Sequence, residues 1–315
     1  VSSILQILCQ IIPILLILFL GYLLRAKNFL SEKTIEESKK LVVNITLPCL
    51  LFISFLNIEI KFSYTAIFIL MFFFCLFMLY YGRFLKEHFH IEHEYFPFLV
   101  TGFEYGMLGV GLFGSAYGLE NIGYLAIMDL GHEFFIWFIF VSLLLSKRNG
   151  KQDNKQLIRN FLKSPVIIAI FLGIFFNLIG LRAFLYNYTI TEGVINTTKL
   201  LGQITIPLIL LVVGYGIHFQ KGFLRDFLVL LAARLVLLIP MAFLGGIFID
   251  KVLGLDEMFK VALFTLFILP PPFILPIYIP QHYKKERLYV NNLLTSYTVI
   301  SVIIFIVYFA FNPRI

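Results

Sequence analysis

Asn44-Ile45-Thr46-Leu47-Pro48 recurs 159 residues later as Gln203-Ile204-Thr205-Ile206-Pro207, and each copy lies inside a long apolar run. A polar phrase ending in proline, set twice in apolar surroundings, marks two related halves of a membrane-embedded chain. Composition agrees: 60% of the 315 residues are hydrophobic, 14% are charged, and mean hydropathy is +0.93. That is too little polar surface to cover a water-soluble globule of this size. The net charge of +7 does not point to nucleic acid, because Lys and Arg cluster in short connections without a continuous basic face. Cys9, Cys49 and Cys75 are odd in number, lack CxxC spacing and sit in apolar runs. They are expected to pack as small hydrophobes, with no disulfide framework, thiolate metal site or cofactor implied.

A helix needs about 20 mainly apolar residues to cross about 30 Å of hydrocarbon. Ten such spans are expected near 3–24, 40–57, 63–82, 95–118, 121–145, 164–181, 199–219, 224–249, 259–280 and 290–311. The first lacks a basic leader and a small-residue cleavage pattern, so it is expected to be a retained span. Connections on one side carry 18 Lys and Arg residues, among them Arg25, Lys40, Lys147 and Lys284, against six on the other side. The positive-inside rule makes the richer side cytoplasmic and puts both termini outside a plasma membrane. The polar stretch 147–163 divides the chain into a first five-helix repeat, 1–146, and a second, 164–315. Five is odd, so the second half inserts upside down relative to the first, as in secondary transporters built from inverted repeats.

Span 9 contains Pro270-Pro271-Pro272, with Pro276 and Pro280 following. Three consecutive prolines remove three N–H donors and push each preceding residue out of the α region, which predicts two half-helices joined by extended backbone. Such backbone is tolerated at membrane depth only where protein or a watery cavity satisfies it. The counterpart in span 4, residues 101–111, carries Glu104, Tyr105 and Met107 with four glycines, Gly106 and Gly109 among them. Glycine permits unwinding and close approach; the alternative is a small-residue packing face between intact helices. Crossed broken helices 4 and 9 are expected, with two half-helix N-termini forming a cradle for a small carboxylate.

Glu104, Asp129, His132, Glu133 and Arg234 are the ionisable residues deepest in these spans. Each charge costs about 2.5–3.5 kcal/mol at a helix centre, so each needs a partner or a cavity. Glu104, at the break, is a candidate proton carrier or Na⁺ ligand, or else pairs with Arg234 or His132 and only locks helices. Asp129 and Glu133, four apart, share a helix face and either extend a coupling-ion path or bond loop backbone. Asn44, Thr46, Gln203 and Thr205 either meet a ligand beside Pro48 and Pro207 or repair proline kinks. Asn291 and Asn292 either contact ligand or cap span 10. His132-Glu133 begins an HExxH pattern, but Ile136 replaces the second ligand, so no metalloprotease is expected. His88, His90 and His93 read as an exposed mixed-charge turn rather than a metal site. No phosphate-binding GxxxxGK[ST] loop occurs, and no enzymatic activity is expected.

Three stretches carry a family resemblance. GYLLRAKNFLSEKTIEESKKLVVNITLPCLLF at 21–52, LGQITIPLILLVVGYGIHF at 201–219 and ILPPPFILPIYIPQHYKKERLYVNNLLTSYTVIS at 268–301 are similar to auxin efflux carrier family proteins, including prokaryotic malate or malonate permease-like members. The resemblance implies spans 1, 2, 6 and 7 as scaffold, spans 3–5 and 8–10 as a mobile transport domain, a homodimer, and elevator-type movement of organic anions. It puts the site at Glu104 to Gly109 and Pro270 to Pro272, facing Pro48 and Pro207. Many relatives have an Asn and a Pro in the first crossover, where GFEYGMLGVGLF at 102–113 supplies Glu104 and no proline. That departure favours a proton- or cation-linked cycle, or a substrate bearing an amine. The expected function is a secondary active transporter of a carboxylate-bearing small organic anion in the lipid bilayer, coupled to H⁺ or Na⁺. The alternatives are a sodium-coupled symporter of the bile acid carrier type and a non-transporting membrane sensor.

Overall fold

The computed structural model describes residues 2–149, 158–159, 161–217, 223–280 and 282–313, with side chains of 2–11 and 148–149 excepted. Most of the expected 147–163 connection, Lys221, Arg314 and the Cys9 side chain lie outside the described residues. Regular structure among the described residues is helical, with no strand. The helices are α1 (Ser2–Ala26), α2 (Glu32–Asn57), α3 (Tyr64–His88) and α4 (Phe96–Val100), then α5, in which the π turn Tyr105–Gly109 runs into Val110–Tyr117. α6 (Leu119–Lys147), α7 (Pro165–Leu178), α8 (Arg182–Asn187) and α9 (Thr189–Gly216) follow. α10 (Leu224–Lys251), α11 (Glu257–Ile268), α12 (Leu275–Tyr278) and α13 (Lys284–Phe311) complete the order.

Seven of the described helical stretches are long and apolar enough to cross a membrane. Three expected spans fall short of that measure for identifiable reasons. α7 has 14 residues, about 21 Å at 1.5 Å per residue. The described apolar part of α1 is Ile12–Ala26. The proline triplet stops α11 after 12 residues, and the half-helix expected beyond it is the single turn α12. Among the seven, Phe96–Tyr117 is the most deeply buried and α10 the least. Large apolar side chains such as Phe73, Phe77, Val236 and Phe243 face outward on α3 and α10, as lipid contact requires.

Local sequence explains the helix starts and interruptions. Ser31 accepts the Thr34 N–H at 3.1 Å to open α2, and Asp256 accepts the Met258 N–H at 2.8 Å to open α11, both side-chain N-caps. Ahead of Pro48, α2 widens into the π turn Val42–Thr46. Ahead of Pro207, α9 is interrupted at Ile204. The two copies of the phrase therefore accommodate their prolines differently.

α1 packs on the Thr205–Gly216 part of α9, and α7 packs on the Leu47–Asn57 part of α2. Gly21 of α1 sits against the Leu211 carbonyl and the Tyr215 nitrogen, which lie four and eight residues beyond Pro207. Gly173 of α7 sits against the Phe52 carbonyl and the Leu56 nitrogen, four and eight residues beyond Pro48. A side chain at either glycine would strike backbone, so these two contacts need the missing Cβ. The remaining long helices pack as α3 on α6, α10 on α11 and α11 on α6, with α4 against α3.

Candidate functional site

Two interruptions meet in the interior. Residues 101–104 leave helical geometry between α4 and α5, with Gly102 at φ +76; a Cβ there would meet His132 Nε2 and Pro272 Cγ, both at 3.0 Å. Residues 269–274 do the same between α11 and α12. Leu269, which precedes the triplet, is extended at φ −61 and ψ 152, as a following proline demands. The two breaks bond to each other, the Glu104 N–H donating to the Pro270 carbonyl at 2.8 Å.

The Glu104 side chain closes the junction. Its Oε1 accepts from the Met107 N–H at 2.9 Å and its Oε2 from the Phe273 N–H at 2.5 Å. Glu104 thus caps α5 and the post-proline turn at once. An ionised carboxylate at a helix N-terminus gains both charge-assisted hydrogen bonds and the dipole. The dipole belongs to α5, because α12 has four residues and offers a free N–H rather than a developed helix end. The cradle expected for a substrate carboxylate is occupied by a carboxylate of the chain itself.

Breaking two helices frees carbonyls, and Arg234 collects them. Fully buried on α10, it donates from Nη1 to Leu99 O at 3.3 Å and Val100 O at 2.8 Å. Its Nη2 reaches Gly102 O at 3.0 Å and Leu269 O at 2.8 Å. Its guanidinium carbon lies 5.6 Å from the Phe103 ring centroid and 5.0 Å from that of Tyr297, within cation–π range. Ser301 Oγ donates to Ile268 O at 2.7 Å. Phe103 stacks on Phe267, which stacks on Phe74, at 5.3 and 5.0 Å. Neither the Glu104–Arg234 nor the Glu104–His132 pair forms among the described residues.

His132 is held from both sides. The Phe103 N–H donates to Nε2 at 3.0 Å, so that nitrogen presents a lone pair and the ring proton sits on Nδ1. Nδ1 lies 2.7 Å from Asp129 Oδ1 and donates to it. Glu133 accepts from Trp137 Nε1 at 2.9 Å. Asp129, His132 and Glu133 bring ligand atoms within 4.8 Å of one another, yet both ring nitrogens of His132 are already engaged. His132, oriented by Asp129, positions backbone at the first break. His93 instead bonds Glu286 at 3.1 Å and stacks on Tyr289 at 3.6 Å, while His88 stacks on Phe84.

The other expected site residues divide into two groups. Tyr105 is buried with its hydroxyl unpartnered among the described residues. Gly106 is half-buried, and a Cβ there would make only ordinary contacts, with Leu47 at 3.8 Å and Glu104 Oε1 at 4.0 Å. Gly109 is needed for contact with Leu269, whose Cδ1 a Cβ would approach to 2.7 Å. Met107 also packs beside Ile35, Val212 and Tyr215. Pro48, Pro271 and Pro272 are buried, as are the unpartnered hydroxyls of Thr46 and Thr205. Asn44, by contrast, is exposed and bonds Lys40 O at 2.8 Å, repairing its own helix. Gln203 and Pro207 are exposed, and Ile206 and Ile209 instead reach Gly114 and Gly111 of α5. Asn291 lies on an exposed face inside α13, too far from its first residue, Lys284, to cap it. Asn292 is buried.

The carbonyl-collecting role of Arg234 and the hold of His132 on Phe103 were not anticipated. The available signal was an arithmetic one: two broken helices leave carbonyls that buried donors must satisfy, and Arg carries five N–H groups in a fixed fork.

No curated protein compared with the chain matches it. A family model described as membrane transport protein matches residues 6–309. Its near-complete coverage accords with the buried junction of two broken apolar helices, and the chain belongs to this membrane transport family, that of the auxin efflux carriers.

Proposed function

We propose that the protein is a secondary active transporter of a small carboxylate-bearing solute, coupled to protons through Glu104. One observation carries this reading: the Glu104 carboxylate occupies the N–H groups of Met107 and Phe273 at the junction of the breaks. A substrate carboxylate needs the same donors. Protonation of Glu104 weakens its hold on them, so proton uptake and anion binding become linked at one place. Half-buried Gly106, where an added Cβ would meet only ordinary contacts, is where the solute would approach that carboxylate. A sodium-linked cycle would need free oxygen ligands, and Asp129 and Glu133 each already have a carboxylate oxygen engaged, by His132 and by Trp137.

The proposed architecture is ten spans in two inverted repeats, moving as an elevator. Its support extends beyond the proline phrase. Lys40-Leu41 and Lys199-Leu200 lengthen the matched phrase upstream, and Pro13 with Phe19-Leu20-Gly21 matches Pro165 with Phe171-Leu172-Gly173 at equal spacing. The two glycines then meet equivalent positions after Pro207 and Pro48. Matched exposed residues, Leu41 and Ile45 against Leu200 and Ile204, offer a face for a homodimer. Basic residues concentrated on one side support a plasma-membrane protein with both termini outside.

Uptake of radiolabelled mono- and dicarboxylates into proteoliposomes tests the reading. An inward proton gradient is expected to accelerate uptake, and replacing Na⁺ by choline to leave it unchanged. Binding without counterflow exchange would assign the fold to a sensor, and strict Na⁺ dependence would sink proton coupling.

A further inference from the structure

Three helix faces and one turn converge on a cavity of about 790 Å³, apart from the Glu104 junction. Ser54 and Asn57 line it from α2, Arg182 and Tyr186 from α8, and Lys199 and Gln203 from α9. Each pair is three or four residues apart and therefore shares one helix face. Glu120 enters from the turn that opens α6. The volume lies in the range that holds metabolite-sized ligands.

The charges in this cavity are not spent on one another. The side chains of Arg182, Glu120 and Gln203 make no hydrogen bond or ion pair with any other described residue. Lys199 lies 4.6 Å over the Tyr186 ring, and the Tyr186 hydroxyl accepts from Asn57 Nδ2 at 3.1 Å, so that wall is fixed. Two cations and one carboxylate therefore line the same space without pairing. A simple anion would answer the cations and meet repulsion from Glu120; a simple amine would do the reverse. A solute carrying both groups answers all three charges, and Leu50, Ile53 and Leu119 supply an apolar wall for its body.

We propose that this cavity binds zwitterionic amino acids with apolar side chains, the carboxylate on Arg182 and Lys199 and the ammonium on Glu120. As a binding site it stands by itself; as an entry vestibule for the transported solute it rests on the transport reading above.

The test uses the purified full chain in detergent, with ligand-induced thermal stabilisation as readout. Millimolar L-leucine is expected to stabilise the protein, with 4-methylpentanoate and 3-methylbutylamine, which each lack one charged group, at least about tenfold weaker. Arg182→Gln is expected to weaken L-leucine by about tenfold, and Glu120→Gln to erase the preference for L-leucine over 4-methylpentanoate. Equal binding of 4-methylpentanoate and L-leucine by the unmodified protein overturns the proposal, as does L-leucine binding untouched by Arg182→Gln. Absence of stabilisation by L-leucine and L-phenylalanine alike overturns it too. If dihexanoylphosphatidylethanolamine stabilises the protein through Arg182 and the amino acids do not, the cavity holds a lipid headgroup and the proposal fails. None of these outcomes bears on the proteoliposome result, so the two readings fail separately.

Discussion

The carboxylate of Glu104 lies 2.5 Å from the backbone nitrogen of Phe273, which joins residues 169 positions apart at the junction of the two helix breaks. The same side chain reaches Met107. Replacing it with an amide keeps the shape and one acceptor oxygen while removing the charge. Glu104→Gln is expected to bind carboxylate substrate more tightly than the parent protein at neutral pH, because the competing anion is gone. Its uptake should lose the response to a proton gradient. Parallel pH profiles of uptake for the two proteins, from pH about 5 to 8, check this; matching profiles would remove Glu104 from coupling.

Arg234 satisfies four carbonyls from both breaks. Arg234→Met leaves those acceptors unpaired in an apolar interior, and a loss of about 3–5 kcal/mol is expected by analogy with broken buried charge networks. Arg234→Lys should recover little, because one ammonium cannot span the positions a planar fork reaches. Thermal unfolding in detergent measures both.

Glycines at two depths should behave oppositely. Gly21→Ala and Gly173→Ala drive a methyl into a neighbouring backbone, a cost of about 1–3 kcal/mol or more. Gly106→Ala meets nothing closer than 3.8 Å, so stability should change little while uptake falls, since the methyl takes space beside Glu104. A melting temperature and an uptake rate for each variant separate the two cases.

His132→Phe deprives the Phe103 N–H of its acceptor and leaves Asp129 without its ring partner. The expected destabilisation is about 1–3 kcal/mol per buried group left unsatisfied. Hydrogen exchange at residues 101–104 should quicken. Unchanged exchange there would mean that the imidazole does not hold the break.

Outside the membrane the electrostatic stakes are smaller. The Lys147 ammonium, hydrogen-bonded at 2.7 Å, holds the Glu94 carboxyl below its ordinary value. A depressed carboxyl contributes stability above its unfolded value and loses it as pH falls through the folded one. Both partners are well exposed, so Lys147→Ala should cost less than about 0.5 kcal/mol at pH 7 and nothing in strong acid. Urea unfolding at the two pH values would show it.

The positions of the two breaks were written in residue type. Pro270-Pro271-Pro272 forbids a continuous helix, and the glycines around Glu104 permit a partner to come close, so the two breaks could be named from the chain. What fills the cradle could not be read that way. Side-chain direction decided it, turning Glu104 back onto Met107 and across to Phe273. Asn44 shows the converse: its amide was a plausible ligand donor, and a carbonyl four residues behind it proved nearer. The half-helix after the prolines shrank to one turn because Pro276 and Pro280 follow so soon. The glycine contacts of α1 and α7 were present in the sequence as a second matched phrase, masked by apolar filler on either side.

Because one guanidinium grips carbonyls from residues 99–102 and from Leu269, the two breaks are parts of a single rigid keystone. A keystone of this kind does not open. If the proposed transporter exposes Glu104 first to one compartment and then to the other, the surrounding wall would move past this junction, and the seam between Ile206, Ile209 and α5 is where motion should be looked for.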